Sequence, residues 1–477
     1  MKTRIIMKIL ISILFLTINS HALALDSLSL SQGIIIQAIT GKYASGVSAK
    51  SAGDINGDGI EDIIIGAPYA NSHHGEVYII YGGNNNETSR IDLNVPLSLE
   101  KGFTVFGGTE NHFFGDYVST AGDLNGDGID DVIISDPYKT PGSGMVYVIY
   151  GNRHRKANIN LSSGLNPTEG FSIVSNDEEI LGLSVGYAGD INSDGLSDIF
   201  IGDSAYETIE SSGKVYVVYG RNGGMDSVNA SSLNSEQGFV ISGEICLTKS
   251  RSVISGAGDV NADGIDDIII AGKGKASLIF GRKGGIEDLV LESLSPSQGF
   301  TLTGAEKNGL DYSVGRAGDL NQDGIDDILI GDADEGKVYV IFGSKDIENL
   351  TLNGELEESQ GYIISGEKGL GYIVQGAGNF NGDGLDDLLI GNYQEEAHKC
   401  GAYILYGKAS NGNLLMSSLE PDEGMYFEGE VEYPWSKWTL SNAGDFNNDG
   451  IDDTLIETRG SGVYLIYGAA SRLVHKQ

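Results

Sequence analysis

Seven copies of a nine-residue stretch hold the side chains best suited to chemistry. The first runs Asp54-Ile55-Asn56-Gly57-Asp58-Gly59-Ile60-Glu61-Asp62, and the others begin at Asp123, Asp190, Asp259, Asp319, Asn379 and Asp445. Position three is always Asn (Asn56, Asn125, Asn192, Asn261, Asn321, Asn381, Asn447). Position five is always Asp (Asp58, Asp127, Asp194, Asp263, Asp323, Asp383, Asp449), as is position nine (Asp62, Asp131, Asp198, Asp267, Asp327, Asp387, Asp453). Oxygen-bearing side chains at alternate positions of a tight loop suit a hard cation such as Ca²⁺, which takes about six to eight oxygens. The sixth residue is Gly in every copy, which fits a sharp turn. The seventh (Ile60, Ile129, Leu196, Ile265, Ile325, Leu385, Ile451) has only its backbone carbonyl to offer. Up to seven calcium ions are therefore expected, with Asn379 the weakest first-position donor because it replaces a carboxylate by an amide.

A helical EF-hand loop would need a bidentate acid at position twelve. Here that position is isoleucine in all copies, from Ile65 to Ile456, and isoleucine does not ligate metal. The loop closes at position nine and the chain enters an apolar, β-branched run such as Ile63-Ile64-Ile65. The reading is a strand-loop-strand calcium site. At position eight, the acids Glu61, Asp130, Asp266, Asp326, Asp386 and Asp452 recur in six copies, so they belong to the repeat rather than to one active site.

Four strand-like runs position each loop. A run of small residues (Val118 to Gly122) precedes it and an apolar run follows it. A third run alternates (Val77-Tyr78-Ile79-Ile80), and a fourth opens on Gly-aromatic (Gly102-Phe103). Repetition every 60–69 residues means stacked units sharing one architecture. Four antiparallel strands repeated about an axis make a β-propeller. The last unit ends after its third strand at Gly468, and its missing partner stands at the other end, in Gln32-Gly33-Ile34-Ile35-Ile36. The expectation is an all-β, seven-bladed propeller of four-stranded blades, closed by residues 32–40.

Residues 1–24 read as an export signal. Lys2, Arg4 and Lys8 precede the apolar run Ile9 to Ile18, and Ala22-Leu23-Ala24 is a small-x-small cleavage pattern. The mature chain, 25–477, is then secreted, periplasmic or at the cell surface, with no transmembrane segment. A net charge of −37 disfavours nucleic acid as a partner. Cys246 and Cys400 fall in different repeats and make no disulfide framework, and no Cys/His spacing suits zinc. Asn86, Asn160, Asn229 and Asn349 head glycosylation sequons, meaningful only in a glycosylating host.

These residues resemble FG-GAP repeats, the units of the integrin α-subunit propeller. The name reads off Phe114-Gly115 before the second loop and Gly66-Ala67-Pro68 after the first. The resemblance implies calcium loops on the lower side of the ring and ligand contact on the upper side. Carried onto this chain, the upper side holds Tyr43, Tyr69, His73, His74, Phe113, Tyr138, Tyr206, Tyr393, Tyr433, Trp435 and Trp438. Both tryptophans of the chain fall in one connection there, which makes Tyr433, Trp435 and Trp438 the candidate ligand contacts. The functional expectation is an exported calcium-binding module for adhesion to an extracellular protein or glycan. The alternatives are a lectin, or a secreted hydrolase or lyase using the upper face or central channel. No catalytic residue is assigned. Gly182-Leu183-Ser184-Val185-Gly186 matches a nucleophile elbow, but Ser184 occupies a repeat position shared with Ser48 and Ser313.

Overall fold

The computed structural model describes residues 22–25, 28–29, 31–37, 48–83, 90–108, 112–140, 143–154, 156–175, 179–205, 213–245, 253–272, 274–304, 313–394, 399–408, 412–430, 438–458 and 462–470. They form seven sheets arranged as the blades of a propeller. The first blade runs outward through Ser48–Gly53, Asp62–Ala67, Glu76–Ile80 and Gly102–Phe106, each antiparallel to the one before. Alternation sets the register: Ile64 lies opposite Ile79 and Ile79 opposite Phe103, so one face of the blade is continuously apolar. These faces pack on the neighbouring blades, burying Ile63, Ile64, Ile65, Val77 and Ile79 completely.

Crowding at the axis explains the small residues ahead of each loop. Ala52, Ala121, Ala188, Ala257, Ala317, Ala377 and Ala443 are all at most 1% exposed. The glycine after each alanine meets the position-eight side chain of the next blade. A Cβ on Gly318, for instance, would lie 2.1 Å from Asp386 Oδ2. That carboxylate accepts the backbone N–H of Asp319 at 3.0 Å, and Asp130, Asp266, Asp326 and Asp452 do the same for Asp54, Asp190, Asp259 and Asn379. Position eight is thus a latch between blades, which is why it recurs. Gly318 also sits at φ +80°, in left-handed backbone. Gly318→Ala should therefore cost about 2–4 kcal/mol, the sum of an unfavourable φ and a displaced carboxylate. Gly324 has a similar φ (+84°) and nothing within 4 Å of an added Cβ. Gly324→Ala should cost only about 1–2 kcal/mol, and urea midpoints of the two variants compare them directly.

The FG and GAP words have a shared contact. Gly66 lies against the Gly115 carbonyl, where a Cβ would approach to 2.0 Å, and Phe114 is fully buried between the first two blades.

Ring closure follows the sequence pattern. Gly33–Gln37 pairs antiparallel with Gly462–Ile466, Gly33 opposite Ile466 and Ile36 opposite Val463. Residues 38–40 of the expected closing segment lie outside the described residues.

The blades differ from expectation in strand number. Each sheet has a fifth, outermost strand, parallel to the fourth and only two or three residues long. It comes from the connection that leads into the fourth strand of the following blade. That chain must cross the outer edge of its neighbour before turning back, and its unpaired amides find partners there. A two-residue strand carries no readable period.

Candidate ligand face and metal loops

In each loop the carboxylates at positions one and nine are held by the backbone. Asp54 accepts the N–H groups of Asp58 (3.0 Å) and Gly59 (2.8 Å), and Asp58 accepts that of Ile60 (3.0 Å). Asp62 is fully buried and accepts from Ile55 (3.2 Å) and from Gly82 (2.8 Å). The second contact ties the loop to the end of the third strand, and it recurs in all seven blades at 2.7–2.9 Å. Sequence reasoning missed this role for Gly82, Gly151, Gly220, Gly281, Gly343, Gly407 and Gly468. Their recurrence after the third strand was the available signal. Asn379, with a single side-chain oxygen, accepts from Gly384 at 3.1 Å.

Burial pushes the position-nine carboxyls up, to about 8 for Asp62, Asp131, Asp198, Asp267 and Asp453 and to about 7 for Asp327 and Asp387. Backbone N–H groups oppose the rise. Repulsion adds to it, as from Asp58 and Asp54 on Asp62. At position three, the Asn192 and Asn447 Oδ1 atoms are buried without a hydrogen-bond partner. Among the described residues, no three His, Cys, Asp or Glu side chains converge as a ready-made metal cluster.

The second strand of each blade leads away from its loop, so its far end opens on the opposite face. There the first two blades bring together four rings. Tyr69 and His73 follow the second strand of blade one, Phe113 lies in the connection into blade two, and Tyr138 lies in the far half of the second strand of blade two, Asp131–Thr140. Tyr69 meets Phe113 edge-on at 5.3 Å, Phe113 meets Tyr138 edge-on at 5.5 Å, and His73 lies 5.7 Å from Tyr69 and 6.1 Å from Phe113. Tyr138 is 37% exposed and His73 is exposed.

Asn71, Ser72, His73 and Phe113 all have positive φ, between 49° and 67°. Non-glycine residues in this region cost energy and persist where their surroundings over-determine them. The turn is fixed by N–H bonds from His74 to the Asn71 carbonyl (3.3 Å) and from Gly75 to that of Ala70 (3.2 Å). The His74 ring adds a 2.7 Å contact to the same Asn71 oxygen. The backbone thus spends strain to hold a half-exposed aromatic cluster.

A second pair on this side, Tyr372 and Tyr393, lies at 5.1 Å. Tyr43, Tyr206, Tyr433 and Trp435 lie outside the described residues, and Trp438 begins the inner strand Trp438–Gly444 of blade seven. The structure therefore groups Tyr69, His73, Phe113 and Tyr138 from the expected upper-face set. Cys246 also lies outside the described residues, while Cys400 is buried, which raises its thiol pKa.

The central channel encloses about 510 Å³. Lys50 donates across it to Gln375 Oε1 at 3.0 Å, and burial lowers its pKa to about 8. Arg316 is paired with Asp326 at 2.8 Å. Ser184 lines the channel from within the strand Glu179–Gly189, not from a strand-to-helix turn, and among the described residues no histidine lines it. Among the described residues, no helix is long and apolar enough to cross a membrane.

Comparison with known proteins matches the FG-GAP repeat to residues 48–80, 116–149 and 370–406, and the FG-GAP-like repeat to residues 259–330. Integrin alpha pat-2 of Caenorhabditis briggsae is 27% identical over 237 residues, covering 46% of this chain and 17% of that protein. Integrin alpha-5 of Xenopus laevis is 26% identical over 234 residues, covering 47% of this chain and 19% of its own. The match thus spans less than a fifth of these relatives' length. The solved structure of BBS1N in complex with ARL6DN, soaked with lead, aligns over 92% of this chain and 98% of that one, at 10% identity and a TM-score of 0.44.

Proposed function

Because this chain is a seven-bladed propeller carrying FG-GAP repeats and similar to integrin α chains, we propose that it is an exported, calcium-stabilised module that binds an extracellular protein or glycan. The observation that carries the binding reading is the cluster of Tyr69, His73, Phe113 and Tyr138, held on strained backbone on the face opposite the acidic loops. Half-exposed rings in a fixed arrangement are the kind of anchor that dominates recognition surfaces.

Calcium would be held in each loop by the side chains at positions one, three, five and nine and by the carbonyl of position seven. When bound, the ion supplies charge neutralisation and a cross-link between loop donors, not a catalytic step. Support comes from the unpartnered amide oxygens of Asn192 and Asn447 and from the buried position-nine carboxyls, which burial and the neighbouring loop acids hold against ionisation until a cation is there. Export rests on the charged, apolar and small-x-small order of residues 1–24.

The binding reading is tested on a glycan array and a panel of extracellular-matrix proteins, in millimolar calcium, with the full chain and a Phe113→Ala/Tyr138→Ala variant. Binding should weaken by about tenfold or more, since losing such anchors costs about 1–2 kcal/mol or more each. Leu415→Ala, at an exposed site on the sheet edge, serves as the control. If the double variant binds its targets as tightly as the parent chain, this cluster is not the contact surface.

A further inference from the structure

We propose that the leader is removed after Ala22, at Ser20-His21-Ala22, and not after Ala24, so that Leu23 and Ala24 remain as the outermost strand of blade six. This rests on the export reading above. The evidence is the fifth strand. Six blades take theirs from inside the chain, as where Leu289–Val290 runs parallel to Gly238–Ser242 of the blade before it. In blade six the place is taken by the segment leading into Gly33–Gln37, the outer antiparallel strand of blade seven. There Ala22–Ala24 fills the place, with Ala22 opposite Tyr426, Leu23 opposite Phe427 and Ala24 opposite Glu428.

Leu23-Ala24-Leu25 through Gln32-Gly33 matches Leu289-Val290-Leu291 through Gln298-Gly299 in register. The turn that follows is the same in both. Ser29 N–H and Oγ donate to Gln32 Oε1 at 3.1 and 2.7 Å, as Ser295 N–H and Oγ donate to Gln298 Oε1 at 3.0 and 2.8 Å. Gly33 and Gly299 each donate to the serine carbonyl at 3.2 Å. Leu25 is 5% exposed and packs in the apolar cluster that includes Phe427.

Two residues suffice for this strand elsewhere in the ring, so Ala22 is dispensable and Leu23-Ala24 is not. Hydrolysis adds water across the Ala22–Leu23 amide, leaving a carboxylate on Ala22 and an amine on Leu23. Serine and alanine meet the small-x-small requirement there. A cut after Ala24 would strip the outer strand of blade six and leave a row of unpaired backbone groups on Tyr426–Glu428, an edge that invites association.

The full chain is expressed in a secreting bacterial host, and the exported product is read by intact mass and N-terminal sequencing. A start at Leu23 is expected. Ser20→Lys, which spoils the proposed site alone, should abolish that product. A start at Leu25 overturns the placement while leaving export intact. An uncut chain starting at Met1 overturns the export reading, and the placement with it. Independently, chains beginning at Leu23 and at Leu25 are compared by thermal unfolding and light scattering. The shorter should melt a few degrees lower and self-associate, and identical behaviour would overturn the structural reason for the cut.

Discussion

A chain beginning after Gln37 loses its cooperative thermal transition. Gly33–Gln37 is the outer antiparallel strand of blade seven, and Ile34, Ile35 and Ile36 are 4%, 7% and 1% exposed. Returning three such side chains to water costs about 5–9 kcal/mol. Whole domains are stable by only about 5–15 kcal/mol. The loss falls at the joint between the two ends of the chain, so no neighbouring segment replaces it. Ile36→Asp, which buries an uncompensated carboxylate against Val463 and Leu465, should reproduce much of the effect without shortening the chain. Adding a peptide of residues 22–37 to the truncated chain should restore part of the transition. A truncated chain that melts like the full one would mean the ring does not depend on its closing strand.

Chelation should lower the melting temperature by roughly 3–10 °C. Extracellular calcium modules have dissociation constants of about 10⁻⁴–10⁻³ M. At about 1 mM free ion such a site adds about 0.4–1.4 kcal/mol, so seven sites add about 3–10 kcal/mol. The chain without ion must also bear a buried aspartate in each loop, such as Asp62 or Asp198, disfavoured in its charged form first by burial and then by the neighbouring loop acids. Differential scanning calorimetry in excess EDTA and in millimolar calcium reads this directly. Asp445→Asn should shift the calcium-loaded transition, whereas Asn379→Asp should raise the affinity of its loop. An unchanged transition in EDTA would remove calcium from the account.

The parts of the fold that repeat were legible because the repeat supplies its own alignment. Seven copies fixed the loop positions, the order of four strands and the search for a fourth partner at the chain start. What repetition did not expose was contact across blades. Asp386 reaching the Asp319 N–H, or Asp130 reaching that of Asp54, joins residues of ordinary type at long separation. The fifth strand was too short for any period. The aromatic cluster was legible only as scattered members of a long set. Its assembly depends on Asn71, Ser72, His73 and Phe113 adopting positive φ, which no propensity announces. Tryptophan content drew attention to residues 433–438 instead, of which only Trp438 falls within the described strands.

Every blade completes itself with a strand lent by its successor, so the length of chain that repeats is not the object that folds. Excising one repeat at its loops would orphan a borrowed strand on one side and a bare sheet margin on the other. Engineers wishing to lengthen, shorten or permute such a wheel should splice just past the third-strand glycines, upstream of the borrowed strand. There each transplanted piece keeps the strand it lends, while the strands it receives come from the next unit, so every junction must preserve the same register.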